Sequence, residues 1–203
     1  MIKVAVVYFT KTDVTGQLAQ SLIAGLKASG EVNVIEHIIR GHEIVEGRFV
    51  NHDILSKLND CEAIVFGTPT YMGGVSAQFK SFADATSELW CHQEWSGKFA
   101  AGFTCGSAMN GDQTSTLQYL VTLSNQQGML WVGLDSAHGY KDHGVNRLGC
   151  QLGVVAHSPN GDAHEADLAS AKYLGQRVAK QALRVNLKSN KSSKKDALAR
   201  ASS

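Results

Sequence analysis

"IVFGTPTYMGGVSAQFKSF", residues 64–82, is the stretch on which the fold turns. Its apolar start breaks at Gly67-Thr68-Pro69-Thr70 and resumes with helical spacing, Phe79 and Phe82 standing three apart. A short apolar run rich in β-branched and aromatic residues and bounded by Gly and Pro reads as a buried strand. We therefore expect a strand over Ala63–Phe66, a proline-stiffened turn over 67–70, and a helix over Ser76–Ser87. Outward from it the same alternation repeats.

Toward the N-terminus, Ile2–Tyr8 ("IKVAVVY") is nearly continuous in apolar residues, the pattern of a parallel strand covered on both faces. Gln17–Ser29 carries Leu18, Leu22, Ile23 and Leu26 on one helical face and stops at Gly30. Val32–Ile39 reads as a second strand, and Asp53 as the cap of a short helix through Leu58. Downstream, Lys98–Cys105 is a fourth strand, Gln113–Gln127 a helix, Leu130–Val132 a fifth short strand and Glu165–Leu183 a closing helix. The fold class is α/β, a doubly wound parallel sheet with helices on both faces. Gly133–Asn160, with its five glycines, is longer than a plain connection and reads as a site-covering loop and subunit contact.

The totals agree. The chain has 203 residues, 43% hydrophobic and 18% charged, a globular composition for residues 1–185 as one domain. No stretch approaches the roughly 20 unbroken apolar residues of a membrane helix, and Met1–Val4 runs into a strand with no leader, so we expect a cytoplasmic protein. Cys61, Cys91, Cys105 and Cys150 form no C-x-x-C pair, and His138 and His143 around Asp142 fit no metal-ligand spacing. No metal is expected. Residues 186–203 hold five basic residues and one acid, which leaves the body at −3 against a chain total of +1. That Ser/Lys-rich tail is expected to be disordered, and without aromatics among its lysines it does not point to nucleic acid.

In an open parallel sheet, ligands sit beyond the carboxyl ends of the strands. Three loops lie there. "FTKTDVTG", 9–16, sets Thr10, Thr12 and Thr15 before a helix N-terminus, whose free N–H groups suit a phosphate, although ordinary turns of this kind also favour threonine. It is neither a P-loop nor a G-x-G-x-x-G turn. In 67–74, Pro69, Tyr71, Met72 and the Gly73-Gly74 pair offer rigidity, a flat aromatic, a polarizable sulfur and close backbone approach, which suit a planar heteroaromatic ring. "CGSAMNGD", 105–112, is a third loop of small, donor-rich residues. A phosphoacceptor receiver domain of similar topology is excluded, because it needs paired acids where Phe9-Thr10 stands and an Asp ending the third strand, where Gly67-Thr68 stands.

"FGTPTYMGGVSAQFKSFADATSELW", 66–90, and "GKFAAGFTCGSAMNGDQTSTLQYLVTLSNQQGMLWVGL", 97–134, resemble the WrbA-type NAD(P)H:quinone oxidoreductases, FMN proteins of flavodoxin-like fold. The resemblance implies a five-stranded sheet of order 2-1-3-4-5. It also implies phosphate binding by Thr10, Lys11, Thr12, Asp13, Val14 and Thr15, and a flavin ring flanked by Pro69, Thr70, Tyr71, Met72 and Gly73. Cys105, Gly106, Ser107, Ala108, Met109 and Asn110 would meet the pyrimidine edge and ribityl chain, with Gln127 where relatives have a histidine. Trp90 and Thr12 would face the second substrate. Asp13-Val14 replaces a Gly-His or Gly-Asn pair, and Cys105-Gly106-Ser107 a Ser/Thr-Gly-Thr pattern. No catalytic side chain is implied, since the flavin carries the chemistry. The partners implied are NAD(P)H, a quinone and further copies of the chain as a homodimer or homotetramer, with Trp90, Trp95 and 133–160 as contacts. A flavodoxin-like FMN electron carrier and a non-catalytic FMN-binding protein are the alternatives.

Overall fold

The computed structural model describes residues 1–136 and 144–201, with side chains in the last helix up to Asn186. The elements are β1 (Ile2–Tyr8), α1 (Val14–Lys27), β2 (Val32–Ile38), a 3-10 turn (Gly41–Glu43), β3 (Ile44–Val45), β4 (Arg48–Phe49), α2 (His52–Asn59) and β5 (Ala63–Tyr71). There follow β6 (Gly74–Val75), α3 (Ala77–Ala85), α4 (Ser87–Cys91), β7 (Phe99–Gly106), α5 (Gln113–Gln126), β8 (Leu130–Trp131), β9 (Val154–His157) and α6 (Glu165–Ala201). His138, Asp142 and His143 lie outside the described residues, and of the expected 186–203 tail only the backbone is described, as the continuation of α6 to Ala201, with side chains no further than Asn186. No helix among the described residues is long and apolar enough to cross a membrane.

The main sheet runs β2-β1-β5-β7-β8, all parallel, which is the expected 2-1-3-4-5 order. One feature corrects the reading of 133–160. The fifth position is filled in two pieces: β8 pairs with the start of β7 (Phe99↔Leu130) and β9 with its end (Phe103↔Val154 through Gly106↔His157). A segment read as loop therefore contributes an edge strand.

Strand side chains alternate between two cores. Val4, Val6 and Tyr8 of β1 face α1 and α6, while Ala5 and Val7 face α2, α3 and α5. Both sets are buried, which is why the run reads as continuously apolar. On the first face α1 and α6 touch backbone to backbone. A Cβ on Gly25 would lie 2.0 Å from the Lys172 carbonyl oxygen, and one on Gly175 2.2 Å from that of Leu22. On the second face Phe66 meets Phe79 edge-on at 6.0 Å and Trp95 at 6.3 Å. Trp95 is fully buried and donates to Asn59 Oδ1 at 2.8 Å, so it belongs to the core and not to a subunit contact.

Two details differ from the sequence reading. Asn51, not Asp53, caps α2, accepting from the Ile54 N–H at 3.1 Å. Asp53 stands inside the first turn, favourable to the helix dipole, and pairs with Lys57 one turn on. The Gly-Thr-Pro-Thr segment is not a turn. β5 continues through it to Tyr71, pairing Pro69 with Cys105, because Pro69 lacks only a donor and its fixed φ suits an extended chain.

Candidate functional site

β1, β5, β7 and β9 end at one rim, and their following segments enclose a cavity of about 320 Å³. Thr12 and Val14 line it from the first loop, Pro69, Thr70 and Tyr71 from the second, and Cys105, Gly106 and Ser107 from the third. A fourth segment, Ser158, Pro159 and Gly161, was missed. The signal for it was present: the chain has only two prolines, and Pro159 follows an apolar run much as Pro69 does.

In the first loop Asp13 is the N-cap of α1 in the left-handed region (φ 69°) and makes no side-chain cap hydrogen bond. The Gly16 N–H finds Thr10 Oγ1 at 3.3 Å. The N–H groups of Val14 and Thr15 have no acceptor among the described residues, which leaves an anion-binding helix end. The Thr15 hydroxyl is turned inward to Cys105 Sγ at 3.3 Å and so ties the first loop to the third. Lys11 is exposed.

The two threonines of the opening stretch act as internal staples. Thr68 is buried, donates to Ser76 Oγ at 3.2 Å and accepts from the Ser76 N–H at 3.0 Å, and Ser76 in turn caps α3. Thr70 Oγ1 stands 2.9 Å from both Thr104 Oγ1 and Thr116 Oγ1, joining β5 to β7 and α5. This bonding holds the strand end while the turn falls at Met72-Gly73, where β5 folds onto β6 (Thr70↔Val75, Tyr71↔Gly74). Both turn residues have positive φ, 48° and 76°, the signature of a type I′ hairpin, which favours Asn-Gly. A methionine there is strained, yet Met72 is wholly exposed and Tyr71 is 41% exposed beside the cavity. Burial, and then the neighbouring Cys105, pushes the Tyr71 phenol up, so it is a neutral hydroxyl. We expect Met72→Asn to stabilise the fold by about 1 kcal/mol, raising Tm by about 2–4 °C. A lower Tm by calorimetry would show that the thioether has packing to lose.

Cys105 is buried, and burial raises its thiol despite the Thr15 contact, so it is a protonated wall residue and not a nucleophile. Ser107, Ala108, Met109 and Asn110 are exposed along the third loop. Gln113, buried at the start of α5, clamps that loop: it donates to the Ala108 carbonyl at 2.6 Å and accepts from the Gly111 N–H at 2.8 Å. In the fourth segment the Ser158 N–H bonds the Gly106 carbonyl at 2.9 Å, while its buried hydroxyl has no partner among the described residues. The segment is held from behind. Arg147 forks onto Asp167 at 2.8 and 2.7 Å, and Asp167 also accepts from the His157 N–H at 3.2 Å.

Gln127 does not join this rim. It lines another cavity, about 360 Å³, together with Trp90, Lys80 and Tyr119. Its amide donates to the Thr86 carbonyl at 3.0 Å and the Thr86 hydroxyl at 2.9 Å. α3 and α5 run back from the rim, so their C-terminal ends lie toward the amino ends of the strands, where Leu130 of β8 pairs with Phe99 at the start of β7, a reversal that loop spacing does not reveal. Trp90, on α4, is 48% exposed there.

With this geometry in place, the description of NADPH-dependent FMN reductases matches residues 10–139. The flavodoxin FldP of Pseudomonas aeruginosa is 36% identical over 190 residues, 89% of this chain and 96% of that protein. An NAD(P)H dehydrogenase (quinone) of Archaeoglobus fulgidus is 29% identical over 195 residues, 90% of this chain and 98% of its own. The crystal structure of the flavodoxin, WrbA-like protein from Agrobacterium tumefaciens superposes with a TM-score of 0.70 at 35% identity, covering 91% of this chain and 99% of that one.

Proposed function

The chain belongs to the NADPH-dependent FMN reductase family, and from that premise we propose that it is an FMN-dependent oxidoreductase passing a hydride from NAD(P)H to a quinone. The observation that carries this reading is the convergence of four strand-end segments on one cavity holding an unpartnered, buried Ser158 hydroxyl. A buried hydroxyl without a partner is unfavourable unless a ligand completes it. The residues present fit the group: unpaired helix N–H groups for a phosphate, neutral donors around the cavity, and an exposed tyrosine and methionine for the face of a ring.

When bound, FMN supplies the two-electron relay between the nicotinamide and the quinone. The chain's part is to hold and orient. The Val14 and Thr15 N–H groups and the Thr12 hydroxyl would take the phosphate, and Gly106 and Ser107 would supply donors toward the edge where reduction builds negative charge. Tyr71 and Met72 would wall the ring and exclude water. Because Cys105 stays protonated and Tyr71 neutral, neither adds a charge that would oppose reduction. In this reading no side chain is required as an acid or base, since the flavin carries the chemistry. The same reading carries a cytoplasmic setting and a homodimer or homotetramer, and the exposed Trp90, Met72 and Met109 support the association of copies.

The test is turnover. FMN-loaded protein given NAD(P)H and a benzoquinone is expected to oxidise the nicotinamide continuously, read at its absorbance band, with quinol formed in equal amount. The likeness to the flavodoxin of P. aeruginosa favours a second reading, an electron carrier. A protein that turns yellow with FMN but leaves NAD(P)H untouched would be that carrier.

A further inference from the structure

Among the rim residues one runs against the chemistry of the site. Asp13 places a carboxylate at the N-terminus of α1, where the donors for a phosphate lie. Its backbone, at φ 69°, is in the region open to Gly, Asn and Asp, so the conformation alone does not require an acid. Its side chain caps nothing. Asp13 Oδ1 instead lies over the first helical turn, so close that a Cβ on Gly16 would come within 2.3 Å of it. No ion pair among the described residues neutralises it, although Lys11 is two residues away. The cavity lined by its two chain neighbours, Thr12 and Val14, also holds the Ser158 hydroxyl, which has no partner among the described residues, an independent mark that a ligand belongs there.

We propose that Asp13 sets the flavin preference of this site: its carboxylate repels the phosphate of FMN, so that FMN is held loosely and exchanges with solution instead of remaining a fixed prosthetic group. The inference rests on the reading of the α1 N-terminus as the phosphate seat. A phosphate monoester carries a charge near −2 at neutral pH. Asp13 is exposed, so water screens the pair, and a carboxylate on the same helix turn still opposes the doubly charged phosphate by roughly tenfold in affinity. Riboflavin, which has no phosphate, escapes that repulsion.

The experiment titrates the full chain, freed of flavin, with FMN and with riboflavin, following the quenching of flavin fluorescence. Asp13→Asn keeps the shape and the left-handed backbone, and Asp13→Gly suits the same φ. Both variants are expected to bind FMN roughly tenfold more tightly than the unsubstituted chain, with riboflavin affinity unchanged. The FMN difference should narrow at high salt, as screening predicts. Equal FMN affinity in all three proteins, or a gain for riboflavin as large as for FMN, would overturn the role of Asp13 while leaving the flavin site standing. Failure of the unsubstituted chain and of both variants to bind either flavin would remove the site itself, and the inference with it.

Discussion

Alanine at Gly175 is expected to destabilise the protein by about 3 kcal/mol, against the sign that helix propensity alone would give. In an exposed helix, Gly→Ala gains close to 1 kcal/mol. Here the new methyl would stand 2.2 Å from the Leu22 carbonyl oxygen, and neither partner is a flexible side-chain tip. Relief requires α1 and α6 to move apart, which opens the core formed by Leu18, Leu22, Leu26, Leu174 and Val178. Alanine at Gly25 meets the Lys172 carbonyl in the same crossing and should cost a similar amount. The double variant should lose less than the sum, because one separation of the helices relieves both clashes. Urea denaturation with an unchanged slope reads this as a lower midpoint. A Gly175→Ala variant more stable than the parent would mean that the two helices do not approach at their backbones.

The second large effect lies behind the fourth rim segment. Arg147→Ala is expected to cost about 3–5 kcal/mol, because Asp167 is only 1% exposed and would be left as a buried charge without its counterion. The loss should reach the site as well. Asp167 also holds the His157 N–H, one residue from Ser158, so the variant should bind FMN more weakly than the parent even where both are fully folded. Arg147→Lys should recover only part of either property, since an ammonium cannot reproduce the two parallel bonds of the guanidinium. The pairing of Arg147→Ala with Asp167→Asn separates the contributions: removing the charge together with its counterion should restore much of the stability. An Arg147→Ala protein within about 0.5 kcal/mol of the parent would place the pair among surface ion pairs of little consequence.

Much of the architecture was legible because its signals are local. Ile2–Tyr8 shows its strand through β-branched residues buried on both faces, and α1 its helix through apolar side chains one turn apart. Such periods survive any tertiary arrangement. The strand-end segments were legible too, since threonines before a helix and a proline within an apolar run carry their signals in neighbouring residues, although Pro69 proved to lie inside β5 and not in a turn after it. β9 was not legible: four residues of "VVAH" in a glycine-rich stretch show no period, and they become a strand only because the end of β7 has an open edge. Nor was Thr68 readable as a staple, for its partner lies eight residues away across a hairpin whose turn had been placed too early.

The sequence by itself determined the strands of the parallel sheet, the helices that cover it and three of the four segments that meet at the rim, because burial on both faces and helix-end chemistry are written in neighbouring residues; the strand order came with the family resemblance. Only the tertiary structure decided that Ser158 joins them, that Asp167 and Arg147 brace it, and that Gln127 and Trp90 lie at another cavity. Those facts depend on pairing partners of similar geometry and charge across twenty or more residues, and many pairings satisfy the local rules equally well. The packed sheet selects one.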